Sequence, residues 1–564
     1  MNGVHVALFV TALLTSPPAP AADSQIRLNT VGFLPDGPKR ASIVAPCERF
    51  AVLRAADGVE VFSGKAGRPA ANPDTGESLQ TTDFSALTTP GVYRLIVPGV
   101  GRSPEFRIAP DVYAGPFATA MRAMYLWRCG TAVSVTHNGH TFAHSPCHLH
   151  DASLHYVGGG DARKDVTGGW HDAGDYNKYV VNAGFSLGVM LQAWEHFGPR
   201  LRGVTLNIPE SSNDVPDFLD EVRWECEWLL RMQADDGRVY HKVSTLKFGG
   251  FVMPESETAE RFLTPWSSAA TADFVAVTAM AARAFEPYDK DFAARCLDAA
   301  RRSYQFLAAN RENHKADLTG FQTGPYQAND ATRRLWAAAE MWETTGEAAF
   351  LVDFEKRLAA AGRKADVQCS WGNVKNLGVY RYLLSRRQGQ DPAIVESARK
   401  DLLAIADEIV HTASTHGYAR PLGQRYFWGC NGDVAQQVQT LHVATVLSGN
   451  PTYKEEALDA LGHLFGRNVY GRSFVTGVGH HPPMHPHDRR SGADDVADPW
   501  PGYLVGGGWP KATDWVDDQE SYRTNEIAIN WNAALIYALA AFMPEPGNTR
   551  GALPPPPEYR ERDK

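Results

Sequence analysis

At Tyr113 the hydrophobic period of this 564-residue chain changes from two to about 3.6, and that change constrains the fold more than any single motif. Upstream, "RASIVAP", "RFAVLRA", "VEVFSG", "GVYRLIVPG" and "SPEFRIA" alternate apolar and polar residues between Gly, Pro and Asp. Roughly seven short strands in about 85 residues predict an immunoglobulin-like β-sandwich over 23–109. Downstream, apolar residues at three- and four-residue spacing begin near 113, 183, 214, 270, 291, 331, 348, 373, 393, 432, 452 and 523. Twelve helices taken as six pairs suit a ring of inner and outer helices, an (α/α)6 barrel over 110–545, a fold the periodicity permits without selecting it. Its interhelix loops would gather at one end, where sites usually lie.

The remaining segments read as processing or linker sequence. Val6 to Leu14 is a short apolar run followed by Ala19-Pro20-Ala21, a leader pattern over 1–22 that predicts a secreted or periplasmic protein. Residues 546–564 are Pro-rich and charged, the composition of a disordered tail. The net charge of −9 and the lack of a Lys/Arg run argue against nucleic acid or an anionic membrane as a partner. A monomer acting on a saccharide is the expectation.

The long loops hold the unusual residues. "TGGWHDAGDYNKYV" (167–180) crowds His171, Asp172 and Asp175 among glycines and aromatics. An Asp-rich surface loop would explain the acids; so would half of a hydrolytic pair. Breaking an acetal needs one carboxyl to protonate the leaving oxygen and a second to attack carbon or activate water. A candidate for the other half is Glu526, ahead of an apolar helical run and close in sequence to Trp515, Tyr522 and Trp531. Such surroundings could keep its proton on; a helix-start glutamate favouring the dipole is the plainer reading. Between them, "GRSFVTGVGHHPPMHPHDRRSGAD" (471–494) carries four histidines and three arginines among prolines. It could be a metal loop, a polar substrate clamp or a solvated loop, and its prolines favour a fixed shape.

Together these three stretches resemble glycoside hydrolase family 9, inverting cellulases built on an (α/α)6 barrel. Asp172-Ala173-Gly174-Asp175 is the family's D-A-G-D element. Trp515, Asp517, Tyr522, Glu526, Ala528, Asn532 and Ala533 match its acid signature. Ser473, Val475, Thr476, Gly479, Pro486, His487 and Arg489 match its histidine signature, with a departure at His481, where the family usually has Asn, Lys or Arg. The N-terminal sandwich resembles the domain found ahead of many members. The resemblance implies catalytic roles for Asp175 (base), Asp172 (holding the water), Glu526 (acid), His487 and Asp517. It implies substrate contacts at Arg489, with His241, Trp336 and Tyr522 as further candidates. It implies endo-acting cleavage of β-1,4-glucan, with an exo-acting β-glucosidase or glucosaminidase as the alternative on the same scaffold.

Two metals follow from the same comparison. Cys129, Cys147, His148 and His171 form a Cys₂His₂ set, a common closed shell for structural Zn²⁺. A Cys129–Cys147 disulfide is the rival reading in an exported protein. Ca²⁺ is frequent in the family, and the acidic, turn-rich segment 208–221 could bind it, though a capped helix start is the preferred reading of that segment. A second calcium loop of the family has Asp-Glu where this chain has Thr332-Arg333, so calcium is not expected there. Trp127, Tyr240, Trp266, Trp336, Trp371 and Tyr503 are candidates for stacking on sugar faces, though each taken singly reads better as core.

Overall fold

The computed structural model describes residues 25–156 and 162–546. The leader expected over 1–22 and nearly all of the Pro-rich tail lie outside them. The first domain is two packed sheets. One has strand order β1-β2-β6-β5, from β1 (Ile26–Leu28), β2 (Arg40–Ile43), β5 (Ala70–Ala71) and β6 (Ser78–Asp83). The other runs β4-β3-β7-β8, with β9 (Phe106–Ile108) also on β7; its members are β3 (Arg49–Arg54), β4 (Glu60–Lys65), β7 (Gly91–Val97) and β8 (Gly101–Arg102). Alternation places Phe50, Val52, Tyr93 and Leu95 inward, where they meet Phe33, Phe84 and Phe106.

The second domain is the expected ring. Helices α2 (Val180–Leu201), α4 (Ser268–Phe285), α6 (Ala331–Thr345), α8 (Lys375–Leu384), α10 (Cys430–Ser448) and α13 (Ile529–Ala540) each pack on the next, and α13 closes on α2. Outside them lie α1 (Ala114–Leu126), α3 (Asp217–Met232), α5 (Lys290–Ala309), α7 (Ala348–Ala360), α9 (Pro392–Ser414) and α11 (Pro451–Leu464). Residue type assigns each layer. Inner α4, "SAATADFVAVTAMAARAF", buries every residue but Arg283, and its small side chains let neighbours approach. Outer α9 buries only Ala398, Leu402, Ile405, Ala406, Ile409 and Ala413, one stripe of an amphipathic helix.

The segments ahead of the inner helices share one end of the ring. Asp172 and Asp175 precede α2, Trp266 precedes α4, Tyr326 precedes α6, Trp371 precedes α8, Trp428 precedes α10 and Glu526 precedes α13. A hairpin of β10 (Val133–His137) and β11 (His140–His144) and a small sheet, β13-β12-β16-β15-β14, lie in the loops there. In that sheet β12 (Leu154–Tyr156) and β13 (Arg163–Lys164) flank the undescribed residues, while β15 (Lys242–Thr245) pairs with β14 (Lys178–Tyr179) and β16 (Arg261–Leu263). The last helical segment differs from its expected form: α12 (Tyr522–Asn525) is one turn, and Glu526 is extended at φ −70°, ψ 158° before α13 begins.

Inner helices cross closely at glycine. A Cβ at Gly188 would lie 2.5 Å from the Trp336 ring. Gly188→Ala is therefore expected to overpack α2 against α6 and cost about 1–3 kcal/mol, read as a lowered midpoint in thermal unfolding.

Candidate active site

The D-A-G-D loop is fixed by its backbone before its side chains act. Trp127 Nε1 donates to Ala173 O at 3.0 Å, and Ala173 pairs with Ala528 in an antiparallel bridge. Ile529 N donates to Asp172 O at 2.9 Å, which joins the loop to the start of α13. Gly174 is required by contact: a Cβ there would sit 2.0 Å from His487 O.

The carboxylates project from this frame. Asn182 Nδ2 donates to Asp172 Oδ1 at 2.7 Å and Tyr326 hydroxyl to Oδ2 at 2.8 Å. Asp175 accepts from Asn177 and from Tyr179 hydroxyl. Both aspartates are buried. Burial, then the charge of Asp175, pushes Asp172 up to about 8. Burial also raises Asp175, opposed chiefly by the Arg489 guanidinium and the Asn177 hydrogen bond. Of the two, Asp175 is thus the one better able to hold a negative charge at neutral pH.

Glu526 faces them from the other loop. His487 bridges Glu526 in parallel, and Gly506 N donates to Glu526 O at 2.9 Å. The residue is half-buried, and Trp428 Nε1 donates to its Oε2 at 3.1 Å. Burial, then the charges of Asp175 and Asp172, holds its carboxyl well above the ordinary glutamate range. The site therefore combines a glutamic acid that keeps its proton with an aspartate that can lose one.

Behind the aspartates lies a metal-competent cluster. The ligand atoms of Cys129, Cys147, His148 and His171 all lie within 4.8 Å of one another, and all four residues are buried. Both cysteines are free thiols, so the disulfide reading does not hold. His171 Nε2 and His148 Nδ1 approach to 3.3 Å, while His148 Nε2 donates outward to Glu257 Oε2 at 3.1 Å. Two soft sulfurs, two imidazoles and a carboxylate fixing one imidazole fit a tetrahedral divalent metal. Among the described residues this is the one group of three or more His, Cys, Asp or Glu with ligand atoms close enough to share an ion, and it takes no residue from the histidine-rich loop.

Comparison with known proteins agrees with this geometry. Residues 113–539 match Glycosyl hydrolase family 9, and residues 21–102 match the Cellulase N-terminal ig-like domain. The chain belongs to glycoside hydrolase family 9. It is 57% identical to Endoglucanase D of Acetivibrio thermocellus over 524 residues, covering 92% of this chain and 84% of that protein. It is 34% identical to the xyloglucan-specific endo-beta-1,4-glucanase BoGH9A of Bacteroides ovatus, covering 92% and 93%. A metagenome-derived family 9 endoglucanase superposes with a TM-score of 0.86 at 35% identity, covering 92% of this chain and 99% of the other.

Several residues expected in this family 9 site stand elsewhere. Asp517 is engaged by the histidine loop. It accepts from Met484 N at 2.9 Å, His485 N at 2.9 Å, Arg472 Nη2 at 2.9 Å and Asn525 Nδ2 at 3.3 Å, which clamps the histidine loop to the residue before Glu526. Trp336 is fully buried, with Nε1 bonded to Glu340, so it is core and not a sugar platform. His241 is also buried; its ring nitrogens meet Ser267 Oγ and Pro325 O. Trp127 and Tyr503 are buried against each other, 4.3 Å between ring centroids.

Others sit at the open side. His487 gives its Nδ1 proton to Gln519 O at 2.6 Å, and burial keeps the ring neutral by lowering its pKa, so Nε2 carries the lone pair. Arg489 donates to Gly174 O at 2.6 Å and to Gly249 O at 3.0 Å, so it binds the loops as well as the charges. Tyr522 is exposed, 5.7 Å from the Trp428 ring. Trp371 and Trp266 are half-buried, and Trp266 stacks on His314. Tyr326 and Trp428 were not anticipated. Tyr326 has φ +40°, unusual for an aromatic residue, which no sequence pattern announced. Trp428 follows the signal available for the other sites, an aromatic just ahead of an inner helix.

The two calcium candidates differ: in 208–221 Glu210 Oε2 and Asp220 Oδ2 lack a hydrogen-bond partner among the described residues, while Asp217, Glu221 and, at the second candidate, Asp273 are engaged within the protein. In 208–221, Asp217 accepts from Leu206 N and Ser211 Oγ at 2.6 Å each, and Arg128 pairs with Glu210 and Glu221. Arg333 pairs with buried Asp273 at 2.8 Å, a guanidinium occupying the position of the second loop.

Removing the clamp should lower both stability and turnover. Asp517→Ala leaves backbone donors at 484 and 485 unpaired, costing about 1–3 kcal/mol. We expect a lower melting midpoint together with a reduced kcat, measured on the same preparation.

Proposed function

We propose that this chain is an inverting endo-1,4-β-glucanase in which Glu526 is the general acid and Asp175 the general base. The observation that carries the reading is the pairing of a raised, protonated Glu526 with an Arg489-supported Asp175 on loops joined by the Ala173–Ala528 bridge. The family and the endoglucanase relatives support the same reaction class.

The reaction follows from the proton positions. Glu526 gives its proton to the glycosidic oxygen, and Trp428 Nε1 steadies the carboxylate that remains. Asp175 takes a proton from water on the opposite face of the ring, and that water attacks the anomeric carbon with inversion. Asp172, fixed by Asn182 and Tyr326, holds the water's second hydrogen. The neutral His487 Nε2 accepts from a sugar hydroxyl, and exposed Trp428 and Tyr522 offer faces to the glucosyl units. After turnover Glu526 is deprotonated and Asp175 protonated; exchange with solvent restores both.

Cys129, Cys147, His148 and His171 would hold zinc as a closed structural site. Zinc there supplies no chemistry to the bond broken; its four ligands fix the loop that begins at His171. Export from the cytoplasm fits a polymeric substrate and the apolar run at 6–14. No helix among the described residues is long and apolar enough to cross a membrane.

Glu526→Gln should lower kcat by roughly 10²–10⁴-fold while cellotetraose still binds by calorimetry; near-normal turnover would refute the assignment. On soluble cellulose the wild type should lose viscosity well ahead of reducing-end release, and NMR should detect the α-anomer first.

The rate–pH profile tests the pairing of charges. Arg489 lowers the pKa of both Asp175 and Glu526. Replacing it with Met raises both, so the base ionises later and the acid keeps its proton longer. Both limbs of the kcat/KM profile should move to higher pH; an unmoved acid limb would show that Arg489 does not act on Asp175.

A further inference from the structure

Residues 246–257 form a strap between the metal-competent cluster and the catalytic loops. At one end Glu257 receives the Nε2 proton of His148 at 3.1 Å. Its other oxygen lies against Gly249, where a Cβ would come within 2.6 Å of Oε1. A second tether runs through Tyr176. Its ring lies 4.9 Å from His171 and 5.7 Å from His148 between centroids, and its hydroxyl donates to Val252 O at 2.5 Å.

The strap's other face meets the residues assigned to chemistry. Gly249 O accepts from Arg489, which also binds Gly174 O inside the D-A-G-D element. Phe251 packs edge-on against the His487 ring at 5.4 Å. Phe248 lies 5.8 Å from the Arg489 guanidinium and is 51% exposed, so its ring is open to a ligand beside Asp175.

We propose that Glu257 and Tyr176 are positioning residues that hold this strap against Arg489 and His487, and that they do so from the four-ligand centre, so that metal occupancy sets how tightly the Asp175 side grips a glucan chain. The inference rests on the glucanase reading only for the identity of the ligand; the mechanical coupling stands on the tethers. It predicts that the centre does more than stabilise the fold: losing the metal loosens His148 and His171, both tethers slacken, and Phe248 loses its place.

Hydrogen exchange and sugar binding separate the two parts. In the Glu526→Gln background, chelation should speed exchange of amides in 246–257 by more than tenfold while inner-ring helices α4 and α10 stay protected. Cellotetraose affinity should fall about three- to tenfold by calorimetry. Tyr176→Phe keeps the ring and removes only the Val252 hydrogen bond. With metal bound it should speed strap exchange and weaken cellotetraose binding while zinc affinity, measured by competition with a chromophoric chelator, stays within twofold. Glu257→Gln should weaken zinc binding roughly 10–100-fold, the usual range for a partner of a metal-bound histidine. Unchanged strap exchange both on chelation and in Tyr176→Phe would overturn the proposal. So would a loss of sugar affinity on chelation that is as large in the Tyr176→Phe/Glu257→Gln double variant as in its absence. If chelation unfolds the protein, the metal-loaded Tyr176→Phe comparison decides alone. A metal-loaded protein whose strap behaves as described but which binds no cellotetraose would refute the substrate assignment and leave the coupling standing.

Discussion

Three carboxyls, Asp172, Asp175 and Glu526, are gathered at one end of the ring with one guanidinium, Arg489, acting on the pair that must differ in charge. Burying like charges together is costly, and the cost falls as raised pKa values. Here that cost is converted into an assignment of protons. Asp172 lies beside Asp175 without a cation of its own and is pushed up to about 8 by burial and that neighbour. Glu526 feels both aspartates. Asp175 has the arginine, so the negative charge settles there. The rest of the domain keeps these groups from moving apart to relieve the strain.

The restraint is mostly backbone. Gly174 admits His487 O at a distance no side chain would tolerate. That contact, the Ala173–Ala528 bridge and the His487–Glu526 bridge tie the loop at 172–175 to two loops more than 300 residues further along the chain. Asp517 completes it by accepting from two successive amides and an arginine. The inner helices contribute direction: each of the six begins at this end, so their positive N-termini favour the carboxylate forms and oppose the effect of burial.

Much of this could be read from sequence because the ring obeys periodicity. The observed helix starts fall close to the predicted ones, while the layer each helix occupies shows only in the structure, as the single buried stripe of α9 against the almost wholly buried α4. The candidate acids could be picked out in the sequence because their motifs are contiguous. What was not legible depended on burial or long-range contact. Trp336 and His241 have the right residue types, yet their polar atoms are spent inside the core. Asp517 belongs to the acid signature, but only the structure gives it four donors. Tyr326 depends on a left-handed backbone that no local pattern encodes. The break at Glu526 also lay beyond periodicity: the polar turn Tyr522–Asn525 is helical, and Glu526 is extended between it and the apolar helix that follows.

The two halves of the site are held by different means, and this follows from what each must do. The base side carries the buried charge of Asp175 next to the buried carboxyl of Asp172, whose own ionisation that charge opposes. It is backed by the Cys₂His₂ cluster, by Arg489, and by Asp151 paired with Lys178 and Arg261, the last of which donates to Tyr176 O at 2.9 Å. The acid side carries a neutral carboxyl, and it is held by one hydrogen bond from Trp428, by backbone bridges and by the Asp517 clamp, with no ion pair of its own among the described residues. Rigid support therefore concentrates where electrostatic strain is present in the resting protein, and the more lightly held acid stands beside the exposed aromatics.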